Sequence, residues 1–293
     1  MSSISIVNPL KIKLACLSKA KFILFGLLVL AVNPINAQAL LEVENIDQAR
    51  IVVAYNLNFS EDTNDLDRVR HERMMLLIGD EISMFASYNK LHNDNLLKGL
   101  DERAGVAHVL GAATTGRAPT RFGGLHILKN FRNNRLIYNN NMFNDWYIYE
   151  EPLNQINWEL TDQKSEHLGN TVQKATARFG GRLWEAWFTS DIPFSDGPYK
   201  FNGLPGLILK IQDSEKHYVF SAESISVPEK ERAIYRKKRQ NYHVSRRQYL
   251  DIRQNKANVW TQRLTEWGNS PEMVKQLEQR MKSRNNPIQL RAE

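Results

Sequence analysis

The chain has 293 residues, 42% hydrophobic and 24% charged, with a formal net charge of +7 and a mean hydropathy of −0.48. This composition is globular, which excludes wholesale disorder, and the length allows one large domain or two small ones. The single cysteine excludes a disulfide scaffold, an iron–sulfur cluster and a thiolate zinc site, and no apolar run reaches the roughly 18 residues of a helical membrane span.

Residues 1–37 read as a secretory signal peptide. Lys11, Lys13, Lys19 and Lys21 precede an apolar run at 22–32, FILFGLLVLAV, without an intervening acid. Asn33 and Pro34 break the run, and Ala37 and Ala39 offer the small side chains that precede a cut, so cleavage is expected after residue 37 or 39. Cys16 lies before the apolar run, so the mature chain is expected to have no cysteine and to rely on core burial for its stability. The charge then divides unevenly. Residues 229–293 hold 16 Lys/Arg against 7 Asp/Glu, which leaves residues 38–228 acidic. For an exported chain, nucleic acid is a poor partner. A peripheral contact of the basic C-terminal region with anionic lipid head groups, or with an acidic partner, fits better than a membrane span.

Along the body, residues 51–59 (IVVAYNLNF) alternate apolar and polar, a half-buried strand. A polar loop is expected at 60–73. The runs 74–78 and 81–88 flank Gly79 and Asp80 as a first hairpin, because glycine accepts the positive φ of a tight turn. Asp94 is placed to cap a helix reaching residue 110. Residues 111–123 read as a loop. Within it, residues 111–118 have the glycine spacing of a phosphate loop, but Arg117 and Ala118 replace its lysine and hydroxyl. Further hairpins are expected around Asn133 and Asn134, around Gly180 and Gly181, and around the turn 213–216. Short strands are expected at 146–149 and 156–160. Trp184 and Trp187, three apart on one strand, should face opposite sides. After Pro228 the texture turns helical, with Tyr249, Leu250 and Ile252 among charges and a helix start at Ser270 and Pro271. The fold class expected is β-rich α+β: an antiparallel meandering sheet or open barrel, with one internal helix and C-terminal helices. The regions are a signal peptide at 1–37, a β-rich body at 38–228, and a basic helical segment at 229–293 packed on that body.

No metal-binding, nucleophile-elbow or redox motif is present, so no cofactor or metal is expected. No two histidines stand at the three- or four-residue spacing of a metal-binding helix. His92 with Asp94, and Asp213 with His217, read most simply as surface turn residues. Trp146, Trp158, Tyr147, Tyr149 and Phe188 read as core filling, with an aromatic-lined cleft as the sharper alternative.

Residues 198–208 (PYKFNGLPGLI) form a turn entering a strand. Gly203 and Gly206 allow backbone angles closed to other residues, Pro205 fixes φ between them, and Leu204 and Leu207 can anchor the turn. With Ile208, these six positions lack any ionisable side chain, so a structural turn is the expected role. The hexapeptide Gly203, Leu204, Pro205, Gly206, Leu207, Ile208 resembles the signature of the GLPGLI family, exported proteins of Bacteroidetes. The resemblance extends to Gln173, Lys174 and Ala175; to Phe179 through Arg182; to Ala186, Trp187, Phe188 and Thr189; to Ile192 and Pro193; to Gly197 and Pro198; and to His217 and Tyr218. Leu77, Ile78 and Gly79, with Ser83 and Phe85, resemble the family's first hairpin, and Asn285, Asn286, Pro287 and Ile288 its C-terminus. Val172 stands where members often carry cysteine, and Gly181 where many carry a bulkier residue. The resemblance implies an envelope location and supplies no catalytic residues. The leading expectation is a non-enzymatic binding or chaperone-like envelope protein of unknown ligand. The alternative is an exported hydrolase whose carboxylates, among Asp191, Asp196, Glu150 and Glu151, assemble from distant segments.

Overall fold

The computed structural model describes residues 42–98, 120–142 and 145–291. The signal-peptide segment, the glycine loop 111–118 and the helix expected beyond residue 98 lie outside the described residues. By internal contacts the chain divides into two units. One is Met1–Glu42 with Lys237–Arg239, in which the Lys238 N–H donates to the Glu42 carbonyl at 2.9 Å. The other is Val43–Arg236 with Gln240–Glu293, and apart from Lys237, the last residue of a short strand, the features below belong to it.

Strands β2 (Ile51–Ser60), β3 (Val69–Ile78), β4 (Ile82–Ser87), β5 (His126–Asn130), β6 (Arg135–Met142) and β7 (Asp145–Pro152) form a meander in which each pairs antiparallel with the next. A second meander runs through β8 (Glu159–His167), β9 (Asn170–Phe179), β10 (Arg182–Thr189), β11 (Leu207–Asp213) and β12 (Tyr218–Ser226). The two join where β12 pairs with β2, giving one 12-stranded sheet that ends at β8 on one side and, beyond β7, at β14 (Tyr242–His243) on the other. β1 (Val43–Gln48) and β13 (Ala233–Lys237) make a separate two-stranded ribbon.

Only residues 153–158 connect β7 to β8, although these strands stand ten places apart in the sheet. A flat sheet would separate them by about 48 Å, and so short a connection reaches at most about 25 Å. The sheet must therefore curl, yet β7 and β8 do not pair and it stays open rather than closing into a barrel. Its two faces carry separate cores, because successive side chains of a strand point to opposite sides. Val53, Tyr55, Leu57, Leu76, Phe85, Ile127, Tyr138 and Trp184 pack on the concave face. Val52, Ala54, Met75, Leu77, Met84 and Ile137 pack on the convex face, against Ile234 and Tyr235 of β13 and Leu91 of α1 (Tyr88–Lys98).

All four expected hairpins are present, but Gly79 does not take the expected positive φ; its position favours glycine because a Cβ there would lie 2.5 Å from Asp47 Oδ2 and 2.9 Å from the Gln48 carbonyl. Trp184 is fully buried and Trp187 only half-buried, but Trp187 also packs against the concave-face core, next to a register shift between Trp187 and Phe188. The internal helix differs from expectation: Asp94 lies inside α1 rather than capping it, buried and bonded to Lys90 Nζ at 2.7 Å and the Tyr235 hydroxyl at 2.6 Å. The polar segment after β2 is shorter than expected, since β3 begins at Val69. The strand expected at 156–160 begins at Glu159.

Residues 229–293 hold β13 and β14 as well as two helices, α2 (Arg246–Glu266) and α3 (Pro271–Lys282). Ser245 caps α2 with a reciprocal bond from Gln248, and Ser270 caps α3 with Pro271 in its first turn. Tyr249 and Leu250 of α2 are buried, whereas no residue of α3 is. Beyond α3 the chain returns to the body. Asn286 donates to the Ser60 carbonyl at 2.8 Å and accepts from Arg182 at 2.5 Å, Tyr218 donates to the Asn286 carbonyl at 2.5 Å, and the Leu290 N–H reaches Gly180 at 2.7 Å.

Candidate functional site

The concave face is occupied by the chain itself. Residues 190–206, between β10 and β11, fold onto it, and Asp196, Gly197, Pro198, Tyr199, Lys200, Phe201 and Asn202 are all buried. Short local bonds shape this loop: the Leu207 N–H donates to Ile192 at 3.1 Å and the Ile208 N–H to Asp196 at 2.9 Å. The Tyr55 hydroxyl donates to the Ile208 carbonyl at 2.6 Å, and Trp158 Nε1 to the Asn202 carbonyl at 2.8 Å.

Two buried lysines fix the loop to the sheet. Lys129 of β5 has the same inward parity as Ile127. Its ammonium donates to Asp196 Oδ1, to the Gly197 carbonyl at 2.7 Å and to the Phe201 carbonyl at 3.3 Å, which uses all three donors. Burial pushes the Lys129 pKa down, opposed by Asp196. Lys200 points the other way, from the loop to β7. It donates to the Tyr149 hydroxyl at 2.8 Å and to Glu151 Oε1 at 2.5 Å, and lies 5.1 Å and 4.8 Å from the Tyr138 and Tyr149 ring centres. Burial lowers its pKa to about 8 against the pull of Glu151. Tyr199 beside it has φ +54°, an uncommon angle for a bulky side chain, and its hydroxyl donates to Gln289 at 3.0 Å. Tyr138, Tyr149 and Tyr249 form a ring cluster with centres 4.7–5.4 Å apart.

The hexapeptide lies at the end of this loop. Leu204, Gly206, Leu207 and Ile208 are buried. Gly203 has φ +93° and Gly206 φ +148°. A Cβ at Gly206 would stand 2.0 Å from the Thr189 carbonyl oxygen, so backbone angle and backbone contact both require glycine.

The four carboxylates of the hydrolase alternative separate into distinct environments. Glu150 and Glu151 are neighbours on β7 and so face opposite sides of the sheet. Glu150 pairs with Arg135 at 3.2 Å, and Asp191 is exposed. Asp196 lies within the loop and Glu151 on β7 faces it, each held by its own lysine. His92 and Asp94 lie on α1, where Asp94 is committed to Lys90 and Tyr235. Asp213, Glu215 and His217 bring ligand-type atoms within 4.8 Å of one another. However, Arg182 donates to Asp213 at 2.8 Å and lies 3.3 Å from His217 Nδ1, where its charge would oppose a cation. The residues that organise the site, Lys129, Lys200 and Tyr199, drew no notice in the sequence. The available signal was a lysine at core parity in β5.

A second concavity lies on the convex side. It has a volume of about 810 Å³ between α1, β3, β4 and residues 226–235. Leu77, Met84, Leu91 and Val227 give it apolar surface, and His92, Lys230 and Arg232 give it polar surface.

Residues 144–210, from β7 to the start of β11, match the protein family described as "Protein of unknown function (Porph_ging)". No curated protein matches the chain. Among solved structures, PNGF-II in two crystal forms is similar, with TM-scores of 0.46 and sequence identities of 15% and 14%. The matches cover 71% and 70% of this chain and 33% and 32% of those chains, so this chain spans about a third of their length.

Removing one partner of a buried ion pair leaves an uncompensated charge. Lys129→Met is expected to lower stability by about 3–5 kcal/mol, and Lys129→Met with Asp196→Asn to recover most of that loss. Urea unfolding of both variants tests this, and a double variant as unstable as the single one contradicts it. Between pH 8 and 10 the unfolded chain keeps protons on Lys200 and on Lys256 of α2, both lowered to about 8 by burial, that the folded chain has released, so stability rises with pH. Above pH 10 the order reverses, because burial raises the pKa of Tyr218 to about 12 and those of Tyr138 and Tyr149 well above the ordinary value. The urea midpoint should climb from pH 8 toward 10 and then fall. A midpoint that declines throughout that range refutes the assignment.

Proposed function

We propose that the protein is a GLPGLI-type exported protein of the bacterial envelope with a non-enzymatic binding or chaperone-like role. One observation carries this reading. The concave face, where a curled sheet could hold a substrate, is filled by residues 190–206, while a concavity of about 810 Å³ remains on the convex side. The match of residues 144–210 to a family of unknown function agrees with the GLPGLI assignment and adds no activity to it. In the hydrolase alternative, two carboxylates would face each other across water. Asp196 and Glu151 instead form separate ion pairs with Lys129 and Lys200.

The concavity suits a ligand with apolar and charged parts. Its apolar part would lie against Leu77, Met84 and Leu91, and its polar end near Lys230 and Arg232. The uncharged dye N-phenyl-1-naphthylamine is a direct probe. It should bind saturably with a Kd of about 10 μM or tighter, and Asn95→Trp, on the exposed face of α1, should weaken it by about tenfold or more without lowering Tm. Absence of saturable binding, or equal binding by the variant, removes the concavity as the ligand site.

In this reading the hexapeptide is a structural turn that delivers β11 into the sheet. Gly206→Ala is expected to cost about 2 kcal/mol or more through backbone strain and overlap, and Leu207→Ala about 2–5 kcal/mol through a cavity. Thermal melts of the two variants measure this. Unchanged melting in both would mark the turn as a docking element instead.

A further inference from the structure

Away from the concavity, and sharing no residue with it, positive charge converges on the end of β2. Glu61, just beyond β2, is buried. Its Oε2 accepts Arg70 Nε at 2.6 Å, while Oε1 faces Arg121 Nε at 2.7 Å and Arg284 Nε at 3.8 Å. Lys256 of α2 lies within electrostatic reach of Arg121, Arg253, Arg284 and Glu61 and has no hydrogen-bonded partner among the described residues. Burial and the neighbouring guanidinium groups lower its pKa to about 8, so it remains charged at neutral pH. Arg280 adds a further positive field at Arg284. Among the described residues, Glu72 and Asp62 are already engaged. Glu72 accepts from Thr120 and from the Phe122 N–H at 3.0 Å, and Asp62 accepts from Asn64 at 3.0 Å.

Half-buried like charges held together by folding raise the free energy of the empty state. An anion that enters relieves the repulsion and accepts charge-assisted hydrogen bonds. Arg121 and Arg284 are each about one-third exposed, so their remaining N–H groups are accessible from solvent. We propose that Arg121 and Arg284, which face Glu61, form together with Lys256 a binding site for a phosphate or sulfate group. Glu61 acts as the internal counter-ion that orients two of the guanidinium groups, and Lys256 supplies the uncommitted charge. The group could be free or carried on a lipid head group, since both present the same oxygens.

Isothermal titration of inorganic phosphate and of sulfate into the intact protein at pH 7 tests the site. The wild type should bind one anion with a Kd of about 1 mM or tighter, and Lys256→Met should weaken it by about tenfold. The Tm of Lys256→Met should equal or exceed that of the wild type, because the change removes repulsion. Co-sedimentation with phosphatidylglycerol vesicles separates the sources. Lys256-dependent pelleting identifies the head group, and phosphate binding without pelleting identifies the free anion; either result supports the site. No saturable binding of either ion, or equal binding by Lys256→Met, overturns it. Dye binding at the convex concavity is unaffected by either outcome.

Discussion

The short passage from β7 to β8 is the constraint on which the rest depends. Six residues carry the chain from one region of the sheet to another ten strands away, and only a curled sheet permits this within chain reach. Curling gives the sheet a concave side. The loop between β10 and β11 fills it, and its hexapeptide marks where that loop re-enters the sheet. Gly206 can sit against the Thr189 carbonyl because it lacks a Cβ. Leu204 and Leu207 anchor either side.

Filling a concavity with backbone brings polar groups out of water, and each must be paired. Lys129 answers this by donating to two loop carbonyls and Asp196 together, and Lys200 extends the same principle to β7. Such pairs contribute little net stability but penalise misplacement strongly. The loop is therefore fixed in position by electrostatics and in shape by glycine. The C-terminal segment acts similarly at the far side, where Arg182 ties Asp213 to Asn286 and Pro287. With the concave side filled by the loop, the concavity on the convex side stays open among the described residues.

Much of the architecture was legible in the sequence, though less of the chemistry. The alternation in residues 51–59, the glycine and asparagine turns and the Ser–Pro helix start are local signals, set by backbone sterics and side-chain parity, and each marks an element observed. β8, with the polar sequence ELTDQKSEH, is marked in the sequence only at its first residues, because an edge strand buries little and needs no apolar alternation. Asp94 misled for the opposite reason. It looks like a helix cap, yet its carboxylate is satisfied by Lys90 and by Tyr235, 141 residues away.

The sequence alone therefore determined what depends on neighbouring residues: the strand and turn grammar, the helices from Arg246 onward, and the two glycines of the hexapeptide as positions of special backbone freedom. Tertiary structure decided which carboxylates meet which cations. Lys129 and Asp196 are 67 residues apart, Lys200 and Glu151 are 49 apart, and Arg284 reaches Glu61 from the other end of the chain. Coulombic pairing depends on distance in space and on exclusion of water. Neither is fixed until the sheet curls and the loop closes over it.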